Sequence, residues 1–278
     1  MTSQRSPLPG IKVMLIGGTG TGKTTAIKTL IEAGVTPMCV FTEPSFDVLG
    51  DIPADRLHWH YISPMADTME GLRSMVRNIG MMSYEQLTKM QDPHRSANNM
   101  VLPMYDLLMD YKCQRTGKAF GNVGTWGTDR ALVIDSLSGL SKAAVAAVVG
   151  DRPAMSPPDY MVAQSIVGKF IDFMCVSLHC HFVLTAHAER ETDPAFGGTK
   201  IMASAIGRAL SPILPRNFTD VILTKRNGTT FVWDTADPQA DLKARNAPIS
   251  ATLPPSFVPL LAAWRKRGGV IESPQAAS

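Results

Sequence analysis

Ile11-Lys12-Val13-Met14-Leu15-Ile16-Gly17 is a short apolar run that ends in glycine, and Gly17-Gly18-Thr19-Gly20-Thr21-Gly22-Lys23-Thr24-Thr25 follows it. The run has the composition of a buried strand. The stretch after it fits G-x-x-x-x-G-K-[ST]. Each residue type in that pattern has a physical task. Glycines let backbone N–H groups turn inward around phosphate oxygens. Lys23 is placed to reach the β- and γ-phosphates, and the Thr24 hydroxyl to ligate magnesium. Downstream, Ala26, Ile27, Leu30 and Ile31 recur at helical spacing until Gly34. The loop therefore opens a helix, whose N-terminal dipole favours anions. Strand, loop and helix in this order predict a cradle for ATP and Mg2+ over Gly17–Thr25.

Strands and helices alternate outward from this point. Pro37–Thr42 reads as a second buried strand and Arg56–Ile62 as a third. Asp67–Gly80 and Met100–Thr116 read as helices. Met81–Asn99 between them is polar and has the character of an insertion or mobile connection. Gly117–Asp129 reads as loop, Ala131–Asp135 as a strand, Met161–His179 as a helix and His181–His187 as the next strand. Glu189–Lys200 reads as a polar loop. Asn227-Gly228, between Asp220–Lys225 and Thr230–Asp234, is a hairpin signal. This pattern predicts an α/β fold: a mostly parallel sheet, helices on both faces and a C-terminal antiparallel hairpin. The expected division is a flexible N-terminus (1–10), one ATPase domain (11–250), and a C-terminal helix with a disordered tail (251–278).

Composition narrows the function classes. The chain has 278 residues, 45% hydrophobic and 18% charged, with a net charge of +3. That balance excludes a polycation, so any nucleic-acid surface must be local. The four cysteines, Cys39, Cys113, Cys175 and Cys180, include no C-x-x-C pair. They read as buried free thiols of a reducing compartment. No apolar run approaches membrane-spanning length. The expectation is a cytoplasmic protein with no membrane partner.

Ala131-Leu132-Val133-Ile134-Asp135 places an aspartate at the end of an apolar strand. A carboxylate there faces the crevice that holds the ligand and can serve magnesium. The alternative for such an aspartate is a helix N-cap.

Glu43 after the second strand, Asp135-Ser136 closing a later one and His187 ending the next resemble RecA-like ATPases, including RecA recombinases and DnaB- and KaiC-type hexamers. The resemblance implies that Glu43 activates the attacking water, that Asp135 with Thr24 holds magnesium, and that His187 senses the γ-phosphate where RecA itself has glutamine. Leu242-Lys243-Ala244-Arg245-Asn246 resembles the K-x-R element that reaches a neighbour's γ-phosphate. It implies Lys243 and Arg245 as trans-acting fingers in a homo-oligomer, ring or filament. Phe120-Gly121, Trp126 and Asp135–Leu140 are similar to phage-encoded RecA-like ATPases of the single-strand annealing and recombination type. That likeness implies a host-cytoplasmic location and single-stranded DNA as partner. Glu189–Lys200 and Ser204–Arg208 then take the position of the second DNA-binding loop, with Phe196, Lys200 and Arg208 as candidate contacts. A first loop is expected near Lys142–Pro158. A DnaB-like translocating motor and a KaiC-like regulatory ATPase without DNA remain as alternatives.

His179, Cys180 and His181 straddle a helix end and a strand start, where alternate side chains diverge, so a core or capping role is expected rather than a metal site. The methionines between Met65 and Met109 read as filling helical core gaps. Trp264-Arg265-Lys266-Arg267 reads as a solvated helix face.

Overall fold

A computed structural model describes residues 8–63, 68–89, 100–150, 152, 155–192, 198–207 and 209–272. The elements are β1 (Lys12–Gly17), α1 (Lys23–Ala26), α2 (Lys28–Glu32), β2 (Thr36–Phe41), β3 (His58–Tyr61), α3 (Met69–Met81), α4 (Tyr84–Lys89) and α5 (Val101–Met109). They continue with β4 (Tyr111–Lys112), β5 (Ala119–Gly121), β6 (Arg130–Asp135), α6 (Leu137–Val149), α7 (Pro157–Val176), β7 (His181–Thr192) and β8 (Thr199–Ala203). The last are β9 (Asp220–Asn227), β10 (Thr230–Asp234), β11 (Lys243–Ala244) and α8 (Val258–Lys266).

One nine-stranded sheet runs β10-β9-β1-β7-β6-β2-β3, with β11 beside β9 and β8 beside β7. The strands from β9 to β3 are parallel, whereas β10, β11 and β8 pair antiparallel. β4 and β5 form a separate pair. The predicted architecture is thus the one found: a mostly parallel sheet with an antiparallel β9–β10 hairpin around Asn227-Gly228. It is also the architecture that the RecA-like resemblance implies.

Strand alternation divides the core in two. Met14, Ile16, Met38, Val40, Leu132, Ile134, Phe182 and Leu184 face one way, into a cluster with α5, α6 and α7. Val13, Leu15, Cys39, Phe41, Ala131, Val133 and Val183 face the other, into a cluster with α1, α2 and α8. Both faces are covered, which is why these strands read as continuous apolar runs. Phe257, Leu260, Leu261 and Trp264 tie residues beyond 250 into the second cluster. Each such side chain contributes about 1.5–3 kcal/mol on full burial.

Several boundaries differ from the sequence reading. The expected Met100–Thr116 helix stops at Met109, and Tyr111 turns inward as a strand residue whose hydroxyl donates to the Cys39 carbonyl at 2.8 Å. Backbone pairing with Ala119–Gly121 outweighs helical propensity there. Gly117–Asp129 is accordingly not all loop. The Lys23–Ala33 helix is divided at Ile27, which keeps helical dihedrals (φ −55°, ψ −31°). Lys142 lies on α6, so the loop expected from there begins only after Val149. Of the polar stretch Glu189–Lys200, Glu189–Thr192 are strand because they pair with Thr199–Met202, and 193–197 lie outside the described residues. Of the expected connection at 81–99, residues 84–89 form α4 and 90–99 lie outside the described residues, as do 1–7 and 273–278 of the two termini.

All four cysteines are free and buried. Among the described residues no helix is long and apolar enough to cross a membrane, and no three His, Cys, Asp or Glu gather as a metal cage. His181 is instead a core residue. Its Nδ1 accepts from the Ile11 amide at 3.0 Å, and its ring meets Trp264 edge-on at 4.8 Å. The neighbouring Lys12 ammonium donates to the carbonyls of Leu178 and Cys180 at 2.8 and 2.6 Å, satisfying acceptors just past α7.

Burial, reinforced by Lys12, pushes the His181 imidazole down to about 3. In the unfolded chain it titrates near 6.5. Below about pH 6.5 the unfolded chain gains a proton that the folded chain refuses, so stability falls as pH drops from there towards 3. The loss is at most about 1.4 kcal/mol per pH unit. Urea unfolding between pH 7 and pH 4 is expected to show this slope, and His181→Gln to flatten it while keeping an acceptor for the Ile11 amide. Parallel pH profiles for variant and parent would contradict the assignment.

Candidate nucleotide site

The parallel strands bring their C-terminal ends to one edge, and the candidate residues meet there. Gly17 ends β1 opposite His187 on β7. Asp135 ends β6 opposite Phe41 on β2, and Glu43 stands two residues beyond. β7 lies between β1 and β6, so its His187 stands between the glycine loop and the aspartate, while the strand itself runs on to Thr192. The result is an open cleft of about 250 Å³ lined by Thr19–Thr25, Glu43, Ser45, Asp47, Val48, Asp135, Ser136 and His187.

The loop takes its shape from backbone freedom and close approach. Gly20 and Gly22 have φ of +73° and +83°, a region that side chains disfavour. At Gly17 a Cβ would fall 1.9 Å from Thr224 Oγ1 and 2.6 Å from the Thr224 carbonyl oxygen, so only glycine fits between β1 and β9. Thr21 Oγ1 donates to the Gly18 carbonyl at 2.8 Å and meets Thr224 Oγ1 at 2.7 Å, which fastens the loop to β9.

Lys23 is buried, and its ammonium donates to the Gly17 and Gly18 carbonyls at 2.8 Å each. Burial pulls its pKa below the usual lysine range, while the Asp135 and Glu43 carboxylates oppose that shift. Thr24 Oγ1 donates to Asp135 Oδ2 at 2.6 Å. A threonine hydroxyl and a carboxylate oxygen so close together form a hard oxygen donor pair. Such a pair fits magnesium, which takes one or two protein oxygens and completes its shell with phosphate and water.

Glu43 is held from the next strand. Ser136 Oγ donates to Glu43 Oε1 at 2.9 Å, and His187 Nε2 lies 3.7 Å from Oε2. That second distance is too long for a hydrogen bond. Thr42 Oγ1 accepts from the Ser136 amide at 2.9 Å, locking β2 to the start of α6. The Asp135–Ser136 peptide is cis.

Lys23, Thr24, Glu43, Asp135 and His187 therefore share one cleft. Lys243 and Arg245 stand apart from it. Lys243 pairs with Val221 near the start of β9, before the Thr224 position that faces Gly17, and its ammonium donates to the Arg216 carbonyl at 3.0 Å. Lys200 is engaged by Asp241 at 2.7 Å. Phe196 and Arg208 lie outside the described residues. Arg265 and Arg267, read as a solvated face, donate to Ala33 O and Asn246 Oδ1 at 2.7 and 2.9 Å.

Sequence reading gave no role to Thr185, Thr42 and Thr224, and named Ser136 only as the residue that follows Asp135. Thr185, buried within β7, donates to Asp135 Oδ1 at 2.6 Å. A hydroxyl inside the apolar run His181–Ala186 was the visible signal. Its partner, on another strand, was not.

Among known proteins, no protein-family model matches the chain, and no curated protein matches it significantly. A solved structure of the RadB recombinase aligns over 84% of this chain and 84% of its own, at 13% identity and a TM-score of 0.30.

Proposed function

We propose that the chain is a magnesium-dependent ATPase of RecA-like type, of the phage-encoded kind. On this reading it acts on single-stranded DNA as a homo-oligomer in the cytosol, with residues 11–250 as the catalytic domain. One observation carries the ATPase reading: Lys23, Thr24, Asp135 and Glu43 converge on one cleft at the ends of parallel strands. The backbone of Gly17–Thr25 cradles the phosphates. Lys23 leaves the Gly17 and Gly18 carbonyls and turns to the β- and γ-phosphates. Thr24 and Asp135 would hold magnesium, which would neutralise charge on those phosphates. Glu43, oriented by Ser136, takes the proton of the attacking water at its carboxylate. His187 senses the γ-phosphate, and the β7–β8 hairpin that continues its strand carries the signal outward.

Single-stranded DNA is supported by the sequence resemblance to phage-encoded RecA-like ATPases. Turnover measured with and without single-stranded DNA tests it: stimulation is expected. Unchanged turnover would favour a KaiC-like regulatory ATPase, and strand displacement a DnaB-like motor.

Two variants test the chemistry. Lys23→Ala is expected to lose ATP turnover by orders of magnitude while circular dichroism shows the fold retained, and near-normal hydrolysis would defeat the phosphate-cradle reading. Glu43→Gln keeps size and hydrogen bonding but accepts no proton. It should bind ATP and hydrolyse it about 10²–10⁴-fold more slowly. Should Glu43→Gln turn over normally, another carboxylate at the cleft, such as Asp47, is the base.

Lys243 and Arg245, remote from their own cleft, are proposed to close the γ-phosphate side of a neighbour's. Arg245→Ala should bind ATP yet lose most turnover, because a finger in trans is worth about 10³–10⁵. Mixed with Lys23→Ala it should regain part of the activity, since each variant supplies what the other lacks. An Arg245→Ala enzyme as fast as the parent, with turnover per site independent of concentration, would show that the site is complete within one chain.

A further inference from the structure

Asp135 stands almost wholly out of solvent, and both of its carboxylate oxygens accept a threonine hydroxyl. The two hydroxyls differ in kind. Thr24 lies on the glycine-loop helix and belongs to the oxygen pair that fits a cation. Its hydroxyl has a second use and is no permanent anchor. Thr185 lies on β7, is fully buried, and does not line the cleft. Its hydroxyl donates to Asp135 Oδ1 at 2.6 Å.

Register brings the two side chains together. Leu184 pairs with Ile134, so Thr185 and Asp135 are the next residues along adjacent strands. Val133 and Val183 face the cluster that contains α1 and α2. Strand alternation sends Asp135 and Thr185 to that same side, towards Thr24. Because β7 separates β1 from β6, Thr185 fills the position between the loop strand and the aspartate strand.

We propose that Thr185 is the positioning residue for the magnesium site: by holding Oδ1 it keeps Oδ2 turned to Thr24. A bare carboxylate has two equivalent oxygens and rotates about its last torsion. A charge-assisted hydrogen bond to one oxygen removes that freedom. The inference rests on the ATPase reading above and adds a residue that acts through Asp135, touching neither nucleotide nor metal.

The test reads binding, not turnover. A fluorescent ATP analogue is titrated into parent, Thr185→Val and Thr185→Ser protein, across Mg2+ concentrations and in EDTA. In Thr185→Val the Mg2+ concentration for half-maximal enhancement of binding should rise about 10–100-fold, the usual cost of losing a partner that orients a metal ligand. Its nucleotide affinity in EDTA should match the parent. Thr185→Ser restores the hydroxyl and should bring the Mg2+ dependence back towards the parent. Thr185→Ala serves the same purpose if the valine variant does not fold. The proposal is overturned by a Thr185→Val protein with the parent's Mg2+ dependence, by equal losses with Mg2+ and in EDTA, or by a serine variant as impaired as valine. A parent that binds no nucleotide under either condition refutes the ATPase reading itself, and the inference with it, before any variant is compared.

Discussion

A carboxylate removed from water must be given hydrogen bonds or a counter-ion, and the end of β6 is built around that demand. Asp135 is about 3% exposed. An ionised group left there without partners would cost several kcal/mol. Two hydroxyls, one on a strand and one on the loop helix, meet the requirement at 2.6 Å each. Bonds of this charge-assisted kind contribute about 1.5–3 kcal/mol. They also fix relative positions: Thr24 cannot reach Oδ2 unless the glycine loop closes over β1, and Thr185 cannot reach Oδ1 unless β7 lies beside β6. The same contacts that satisfy the charge align the loop with the strand that serves it.

Close packing around the cleft sets the rest of the geometry. Gly17 admits the Thr224 side chain where a methyl group would collide with it. Gly139 does the same for α6, because a Cβ there would fall 2.0 Å from Thr42 Oγ1. Thr42 in turn accepts from the Ser136 amide, and Ser136 Oγ donates to Glu43. A glycine on a helix thus lets a threonine seat the turn that orients the glutamate. The Lys23 ammonium, held by two loop carbonyls, stands as an intramolecular substitute for the contacts that phosphate would supply. On the proposed ATPase reading, phosphate binding would exchange these hydrogen bonds for others instead of creating them anew.

Local pattern carried much of this protein. The run Ile11–Gly17, the glycine loop and the apolar stripe after it specify strand, turn and helix through neighbouring residues alone. Alternating apolar segments predicted a parallel sheet covered on both faces, and Asn227-Gly228 marked its hairpin. Boundaries failed where a distant partner competes with local preference. Tyr111 leaves the helical pattern because its hydroxyl reaches the Cys39 carbonyl, far away in the chain, while its backbone pairs with the nearby Gly121. The polar residues Glu189–Thr192 looked like loop, and they are strand because Thr199–Met202 lie alongside.

By itself the sequence determined the chemical kinds and their order: a glycine loop with Lys23 and Thr24, then Glu43, Asp135 and His187, each at or just after the end of an apolar run. These follow from short-range rules of composition and period, which act within a few residues. The tertiary structure alone decided who touches whom. It set β7 between β1 and β6, so Thr185 holds Asp135. It put Ser136 against Glu43, and it left Lys243 and Arg245 away from the cleft of their own chain. Hydrogen bonds between strands depend on lateral order in the sheet. That order is settled by burial of both sheet faces at once, a property of the whole chain that no local window contains.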